Sequence, residues 1–142
     1  MSLVLDASMT LAWQFKRVDP GELLLAEKGL EALSTVQAVV PALWFAEVAN
    51  GVLHGERQGV ISHKQSASFL KDLSEVEIVA DEASPRGHQA TVLDLARNYG
   101  LTVYDATYLE LAMRRAATLA TFDHKLAEAA RAAGVRVFGD AV

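Results

Sequence analysis

Leu3-Val4-Leu5-Asp6-Ala7 places a carboxylate directly after three apolar residues. A short apolar run of this kind is typical of a buried strand. Asp6 then stands where the predicted strand ends. Because a carboxylate beside core-forming residues costs free energy unless it is neutralised, the stretch predicts a buried strand followed by an acid that needs a counter-charge.

Three further acids have similarly apolar neighbours. They are Glu47 in Leu-Trp-Phe-Ala-Glu47-Val-Ala-Asn50, Asp105 in Leu-Thr-Val-Tyr-Asp105-Ala, and Asp123 in Leu-Ala-Thr121-Phe-Asp123. If the fold gathers them with Asp6, the natural neutraliser is a hard divalent cation, which prefers oxygen ligands. Such a cluster is typical of a metal-dependent enzyme that acts on phosphate esters.

Apolar runs and helix signals alternate along the chain. We predict strands at residues 3–5, 36–40, 75–79, 101–103, 118–121 and 135–138. Helices are predicted at residues 9–15, 20–33, 42–58, 63–73, 85–99, 105–115 and 124–133. Strands that alternate with helices predict a three-layer α/β/α sandwich on a mostly parallel sheet. The length of 142 residues predicts a single domain, residues 1–142.

The predicted topology brings the four acids together. Ligand sites of open parallel sheets lie outside the carboxyl ends of the strands, where Asp6, Asp105 and Asp123 are expected. Glu47 lies in the helix that follows strand 36–40 and would reach the same edge. Each aspartate has a simpler alternative as a helix N-cap, and Glu47 has one as a solvated helix residue. Asp94 is a reserve candidate in an apolar helix.

Composition limits the function classes. The net charge is −5, from 13 basic and 18 acidic side chains, which taken alone argues against a nucleic-acid binder. The objection weakens if the clustered acids hold divalent ions. The chain has no cysteine, which excludes disulfides and zinc-thiolate sites and fits a cytoplasmic protein. No signal peptide or membrane span is expected.

The chain resembles the PIN-domain ribonucleases, and more narrowly the VapC-like toxins of bacterial toxin–antitoxin pairs, at four stretches. These are Leu5–Ser8, Val40–Asn50, Gly100–Ala106 and Ala120–Asp123. The resemblance implies an endoribonuclease with one or two Mg²⁺ or Mn²⁺ ions. It assigns Asp6, Glu47, Asp105 and Asp123 as catalytic acids and metal ligands, supported by Thr121, Asn50 and, more weakly, Ser8.

The resemblance also implies partners. RNA is the substrate, a cognate antitoxin holds the toxin inactive, and the toxin is usually a homodimer. RNA contacts are expected from the basic residues nearest in sequence to the motifs, which are Lys16, Arg17, Arg57, Arg114, Arg115 and Lys125.

Two other functions stay open at the level of sequence. A non-catalytic PIN-like binding or scaffold domain would have little reason to keep all four acids. An aspartyl phosphatase would use Asp6 as its nucleophile, but that chemistry normally wants a second Asp two residues on, where this chain has Ser8.

Overall fold

A computed structural model describes residues 2–141. Its sheet contains four strands: β1 (Ser2–Leu5), β2 (Gln37–Val40), β3 (Ile78–Ala80) and β4 (Thr118–Ala120). The strand order is β3-β2-β1-β4 and every neighbouring pair is parallel. The carboxyl ends of all four strands therefore lie along one edge of the sheet, the carboxyl edge.

Seven helices connect and cover the strands within residues 2–141. They are α1 (Ala7–Leu11), α2 (Pro20–Ala32), α3 (Leu43–Arg57), α4 (His63–Glu75), α5 (Pro85–Tyr99), α6 (Val103–Arg115) and α7 (His124–Ala132). Several begin at the predicted signals: Asp19 accepts the Glu22 N–H, and Ser62 and Gln65 form a capping box. No helix in this part of the chain is long and apolar enough to cross a bilayer.

The centre of the sheet forms the core. Val4, Leu5, Val39, Val40 and Leu119 have no exposed surface. Strands that read as continuous apolar runs are buried on both faces of a parallel sheet, and here helices flank the sheet. The predicted α/β sandwich is confirmed, whereas its extent as one domain over residues 1–142 stays a prediction.

Two predicted strands are wrong or incomplete. Residues 101–103 form no strand, because Gly100 ends α5 with a φ of 65° and the Thr102 side chain caps α6 immediately afterwards. The apolar run Leu-Thr-Val therefore joins two helices, and Asp105 lies in the first turn of α6 rather than at a strand exit. The predicted strand 135–138 contributes only an isolated parallel bridge between Val137 and Leu119.

Helix α3 packs Trp44, Val48, Val52 and Gly55 into the core. The close approach of α1 and the segment after it explains why Gly55 is among these buried residues. A Cβ atom on Gly55 would lie 2.5 Å from the Phe15 ring, so small residues let this segment pack directly against α3. Phe45 and Leu53 are left exposed.

Candidate active site at the carboxyl edge

Asp6 is the buried acid of the site. Its N–H donates to Ala120 O at 3.0 Å, which continues the pairing of β1 with β4. The side chain is only 6% exposed, and its Oδ2 accepts hydrogen bonds from Thr121 Oγ1 at 2.6 Å and Ser8 Oγ at 2.8 Å. Asp6 occupies the N-cap position of α1 but makes no side-chain capping bond. Its carboxylate is therefore held by hydroxyls from two segments.

The same hydroxyls organise the exit of β4. Thr121 Oγ1 accepts the Asp123 N–H at 3.0 Å, and Ser8 Oγ accepts the Phe122 N–H at 3.0 Å. Asp123 Oδ1 caps α7 by accepting the Leu126 N–H at 2.9 Å. Capping thus uses one oxygen of Asp123 and leaves Oδ2 without a hydrogen-bond partner among residues 2–141.

Helices α3 and α6 bring the other two acids to the site. Glu47 Oε1 accepts a hydrogen bond from the Tyr108 hydroxyl at 2.6 Å. Tyr108 lies three residues after Asp105, so the two share one side of α6. The N-terminus of that helix is fixed by Thr102, whose hydroxyl accepts the Asp105 N–H at 3.1 Å.

The pKa values of these acids show that their charges interact. Burial raises the pKa of Asp6 above 3.8, and the charge of Asp123 raises it further, against the hydrogen bonds from Thr121 and Ser8. Burial also raises the pKa of Glu47, with added repulsion from Asp6 and Asp105. Burial raises the pKa of Asp105, with repulsion from Asp123 and Asp6. The structure therefore brings the four acids into one cluster, in which neighbouring carboxylates raise the pKa values of Asp6, Glu47 and Asp105.

Basic side chains do not neutralise this cluster. Every ion pair among residues 2–141 uses another acid: Glu22, Glu56, Asp81, Asp94, Glu110 or Asp140. No three acidic or histidine side chains in this part of the chain form a ready-made ligand set for a metal. The donor chemistry nevertheless fits a divalent cation, because hard carboxylate oxygens with uncompensated charge converge on one edge.

Comparison with known proteins places this chain in a family. The PIN domain family model matches residues 3–132. The chain belongs to the PIN domain family. It is 29% identical over 128 residues to Ribonuclease VapC3 of Pyrobaculum aerophilum, a match that covers 90% of this chain and 94% of that protein.

Two solved structures share the fold of this PIN domain. PAE2754 from Pyrobaculum aerophilum superimposes with a TM-score of 0.67 at 24% identity, over 91% of this chain and 79% of that one. FitAcB from Neisseria gonorrhoeae superimposes with a TM-score of 0.62 at 20% identity, over 96% of both chains. These likenesses agree with the predicted PIN-like architecture.

The residues predicted to support the four acids fall into two groups. Thr121 and Ser8 contact Asp6 directly, as described above. Asn50 is exposed on α3 and forms no side-chain hydrogen bond with the four acids in the described part of the chain. Asp94 is on the surface and pairs with Arg97 at 3.4 Å, so the reserve candidate lies outside the cluster.

Sequence reasoning missed the role of Tyr108. It was predicted to be a core aromatic, and it is fully buried, but its hydroxyl also holds Glu47. Burial and the bond to Glu47 raise the pKa of the phenol far above 10, so the hydroxyl stays protonated and can only donate to this carboxylate. The i, i+3 spacing from Asp105 was the signal available in the sequence.

The basic residues expected to contact RNA differ in whether they already form ion pairs with acids of the chain. The Arg114 guanidinium binds Asp81 at 2.6 Å and Glu110 at 2.9 Å, so an RNA contact would compete with these ion pairs. Arg115 lies 3.7 Å from the same Asp81. Arg57 at the end of α3 and Lys125 in the first turn of α7 are exposed. Only Lys125 is close in sequence to one of the four acids, Asp123.

Replacement of Tyr108 by Phe is expected to lower metal affinity or activity about 10–100-fold, the usual cost of removing a group that orients a ligand. The Tyr108 bond lowers the pKa of Glu47, so its loss should move the acid limb of the pH–rate profile to higher pH. Steady-state kinetics from pH 5 to 9 would measure both effects. Tyr104→Phe is the matched control, because Tyr104 is 65% exposed on the same helix. Equal pH–rate profiles for the two variants would contradict the proposed role of the Tyr108 hydroxyl in orienting Glu47.

Proposed function

We propose that this PIN domain is a Mg²⁺- or Mn²⁺-dependent endoribonuclease and the toxin of a toxin–antitoxin pair. The observation that carries the proposal is the cluster of Asp6, Glu47, Asp105 and Asp123, in which neighbouring carboxylates raise the pKa values of Asp6, Glu47 and Asp105 and none of the four forms an ion pair among residues 2–141. Similarity to Ribonuclease VapC3 supports RNA as the substrate.

The free oxygens define which groups would hold metal. Asp6 Oδ1, Glu47 Oε2 and Asp123 Oδ2 accept no hydrogen bond from another side chain among residues 2–141, and the Asp105 carboxylate interacts with the Thr102 hydroxyl at the start of its own helix. They would bind one or two ions. A divalent ion bound there supplies Lewis acidity toward the phosphate and lowers the pKa of a bound water.

The chain's own residues orient this set. The hydroxyls of Thr121 and Ser8 hold one oxygen of Asp6, and Tyr108 holds one oxygen of Glu47, so each carboxylate presents its other oxygen in a fixed direction. Asp6 is buried, whereas Asp123 is exposed and Glu47 and Asp105 are half-buried. The site therefore has a buried floor and an open rim from which a phosphodiester would approach.

Cleavage and metal binding can be tested separately. The purified protein should cleave members of a structured RNA panel in Mn²⁺ or Mg²⁺, and EDTA should stop the reaction. Mn²⁺ should also raise the melting temperature of the wild type, because a ligand that binds only the native state stabilises it. Asp105→Asn should lose cleavage and most of this Mn²⁺-dependent shift.

Asp94→Asn is the matched control, since it removes the same charge from an exposed position on α5 that pairs only with Arg97. It should keep both cleavage and the Mn²⁺-dependent shift. Cleavage that persists in EDTA, or equal behaviour of Asp94→Asn and Asp105→Asn, would contradict the metal mechanism. A wild type that binds Mn²⁺ but cleaves no RNA would favour the non-catalytic scaffold.

The proposal includes protein partners and a cytoplasmic location. An apolar groove of about 250 Å³ runs between α3, α4 and β3 and is lined by Trp44, Phe45, Val48, Leu70, Leu73, Ser74, Val76 and Ile78. Phe45 is 51% and Leu70 44% exposed. Exposed apolar surface of this kind is typical of a protein–protein contact, which supports a cognate antitoxin as partner. The homodimer is proposed from the VapC resemblance alone.

A further inference from the structure

Arg17, one of the basic residues expected to contact RNA, lies beside the exit of β4 in the folded chain. Its guanidinium carbon is 4.6 Å from the centroid of the Phe122 ring. Phe122 stands between Thr121 and Asp123, and its N–H is bonded to Ser8. The segment after α1 therefore delivers a positive charge to the rim of an otherwise acidic site.

The neighbours of Arg17 hold its guanidinium group in place but occupy few of its hydrogen-bond donors. Its Nη2 donates to Glu22 at 3.2 Å, and the two side chains are 37% and 33% exposed. A guanidinium has five N–H donors in one plane, and this is the only hydrogen bond of the Arg17 side chain among residues 2–141. The cation–π contact with Phe122 and one ion pair therefore hold the group at this place while most of its donors stay free.

Two other arginines, Arg131 and Arg114, are more fully engaged. Arg131 binds both oxygens of Asp140 at 2.8 Å, and Arg114 binds both oxygens of Asp81. A planar, oriented fork with free N–H groups matches the geometry of a phosphate. An RNA that enters a site with four carboxylates also needs a local positive charge, because the chain as a whole carries −5.

We propose that Arg17 binds a backbone phosphate of the RNA beside the scissile bond and so positions the substrate at the four acids. This inference rests on the proposed ribonuclease function. Arg17 is a positioning residue with a contact to the substrate, and it takes no part in proton transfer. Phe122 supports it by holding the guanidinium plane at the rim.

Arg17→Ala is expected to raise KM for a cleavable single-stranded RNA about tenfold, since a charge-assisted hydrogen bond contributes roughly this much, with kcat nearly unchanged. RNA binding to the cleavage-deficient Asp6→Asn protein in Mn²⁺ gives a second readout. There, adding Arg17→Ala should reduce the slope of log Kd against log salt concentration by about 0.7, the contribution of one phosphate contact on a single strand.

Two variants separate phosphate binding from a structural role. Glu22→Gln removes the ion pair of Arg17 and keeps the Asp19 cap of α2. If Arg17 binds phosphate, Glu22→Gln should leave KM unchanged or lower it, because the guanidinium loses its competitor. If Arg17 only anchors the loop, Glu22→Gln should reproduce the defect of Arg17→Ala. Arg131→Ala, with the same change of charge at an exposed pair, should leave KM unchanged.

The outcomes distinguish this inference from the function on which it rests. A wild type that cleaves RNA, together with an Arg17→Ala variant whose KM and salt slope equal those of the wild type, would overturn only the role of Arg17. The same holds if Arg131→Ala shows an equal defect. A wild type that neither binds nor cleaves RNA in Mn²⁺ would overturn both.

Discussion

Asp6→Asn is expected to lower the rate of RNA cleavage about a thousandfold, comparable with the loss of one preorganised group that stabilises transition-state charge. Asn keeps the shape of Asp6 and can still accept hydrogen bonds from Thr121 and Ser8, but it removes the negative charge. The same variant should be more stable than the wild type in EDTA at neutral pH. A buried carboxylate without a counter-charge lowers stability, so removing its charge should stabilise the folded protein.

The pH dependence of stability tests whether the buried charge of Asp6 causes this loss of stability. Burial raises the pKa of Asp6 in the folded protein above 3.8, so the native state holds its proton more tightly than the unfolded chain. The stability that the protonated Asp6 carboxyl contributes is fully present below pH 3.8. It is lost as the pH rises through the higher pKa that Asp6 has in the folded protein. In EDTA the wild type should therefore lose stability over this range, and Asp6→Asn should lose less.

Chemical denaturation in EDTA at several pH values between 4 and 8 would measure the difference. Asp94→Asn serves again as the control, because an exposed substitution of this kind usually changes stability by less than about 0.5 kcal/mol. The explanation is wrong if Asp6→Asn retains wild-type cleavage, or if its stability falls with pH as steeply as that of the wild type.

Thr121→Val is expected to reduce cleavage about 10–100-fold, because the hydroxyl orients a carboxylate. Valine matches the shape of threonine but has no hydroxyl. Oδ2 of Asp6 would keep only Ser8 as donor, and the Asp123 N–H would lose its acceptor. Leaving such buried groups unsatisfied costs about 1–3 kcal/mol of folding free energy. Kinetics and urea denaturation would measure the two losses.

Thr121→Ser should restore most of the activity, since it keeps the oxygen that joins the exits of β1 and β4. Thr107→Val is a matched control on α6, where the hydroxyl donates only to the Val103 carbonyl of its own helix. If Thr121→Ser is as defective as Thr121→Val, the methyl group and its packing matter more than the hydroxyl. In that case the proposed orienting role is wrong.

Local sequence signals predicted most of the fold. The run Leu3–Leu5 gave a strand because its apolar residues need burial on both faces, and Asp19-Pro20 and Ser62 mark helix starts through specific capping bonds. The prediction of a strand at residues 101–103 was wrong because three apolar or β-branched residues do not distinguish a strand from the start of a helix. There the Thr102 cap, which forms only in the folded helix, decided the outcome.

The sequence by itself identified four acids beside apolar stretches and, through the alternation of strands and helices, the sheet edge at which Asp6 and Asp123 lie, whereas the strand by which it placed Asp105 there does not form. Only the tertiary structure decided how each carboxylate is held. Thr121 lies 115 residues from Asp6, and Tyr108 lies 61 residues from Glu47. Hydrogen bonds over such separations depend on the register of β1 against β4 and on the packing of α6 against the sheet. No local pattern encodes these distances, so the contacts of Tyr108 with Glu47 and of Arg17 with Phe122 became visible only in the folded chain.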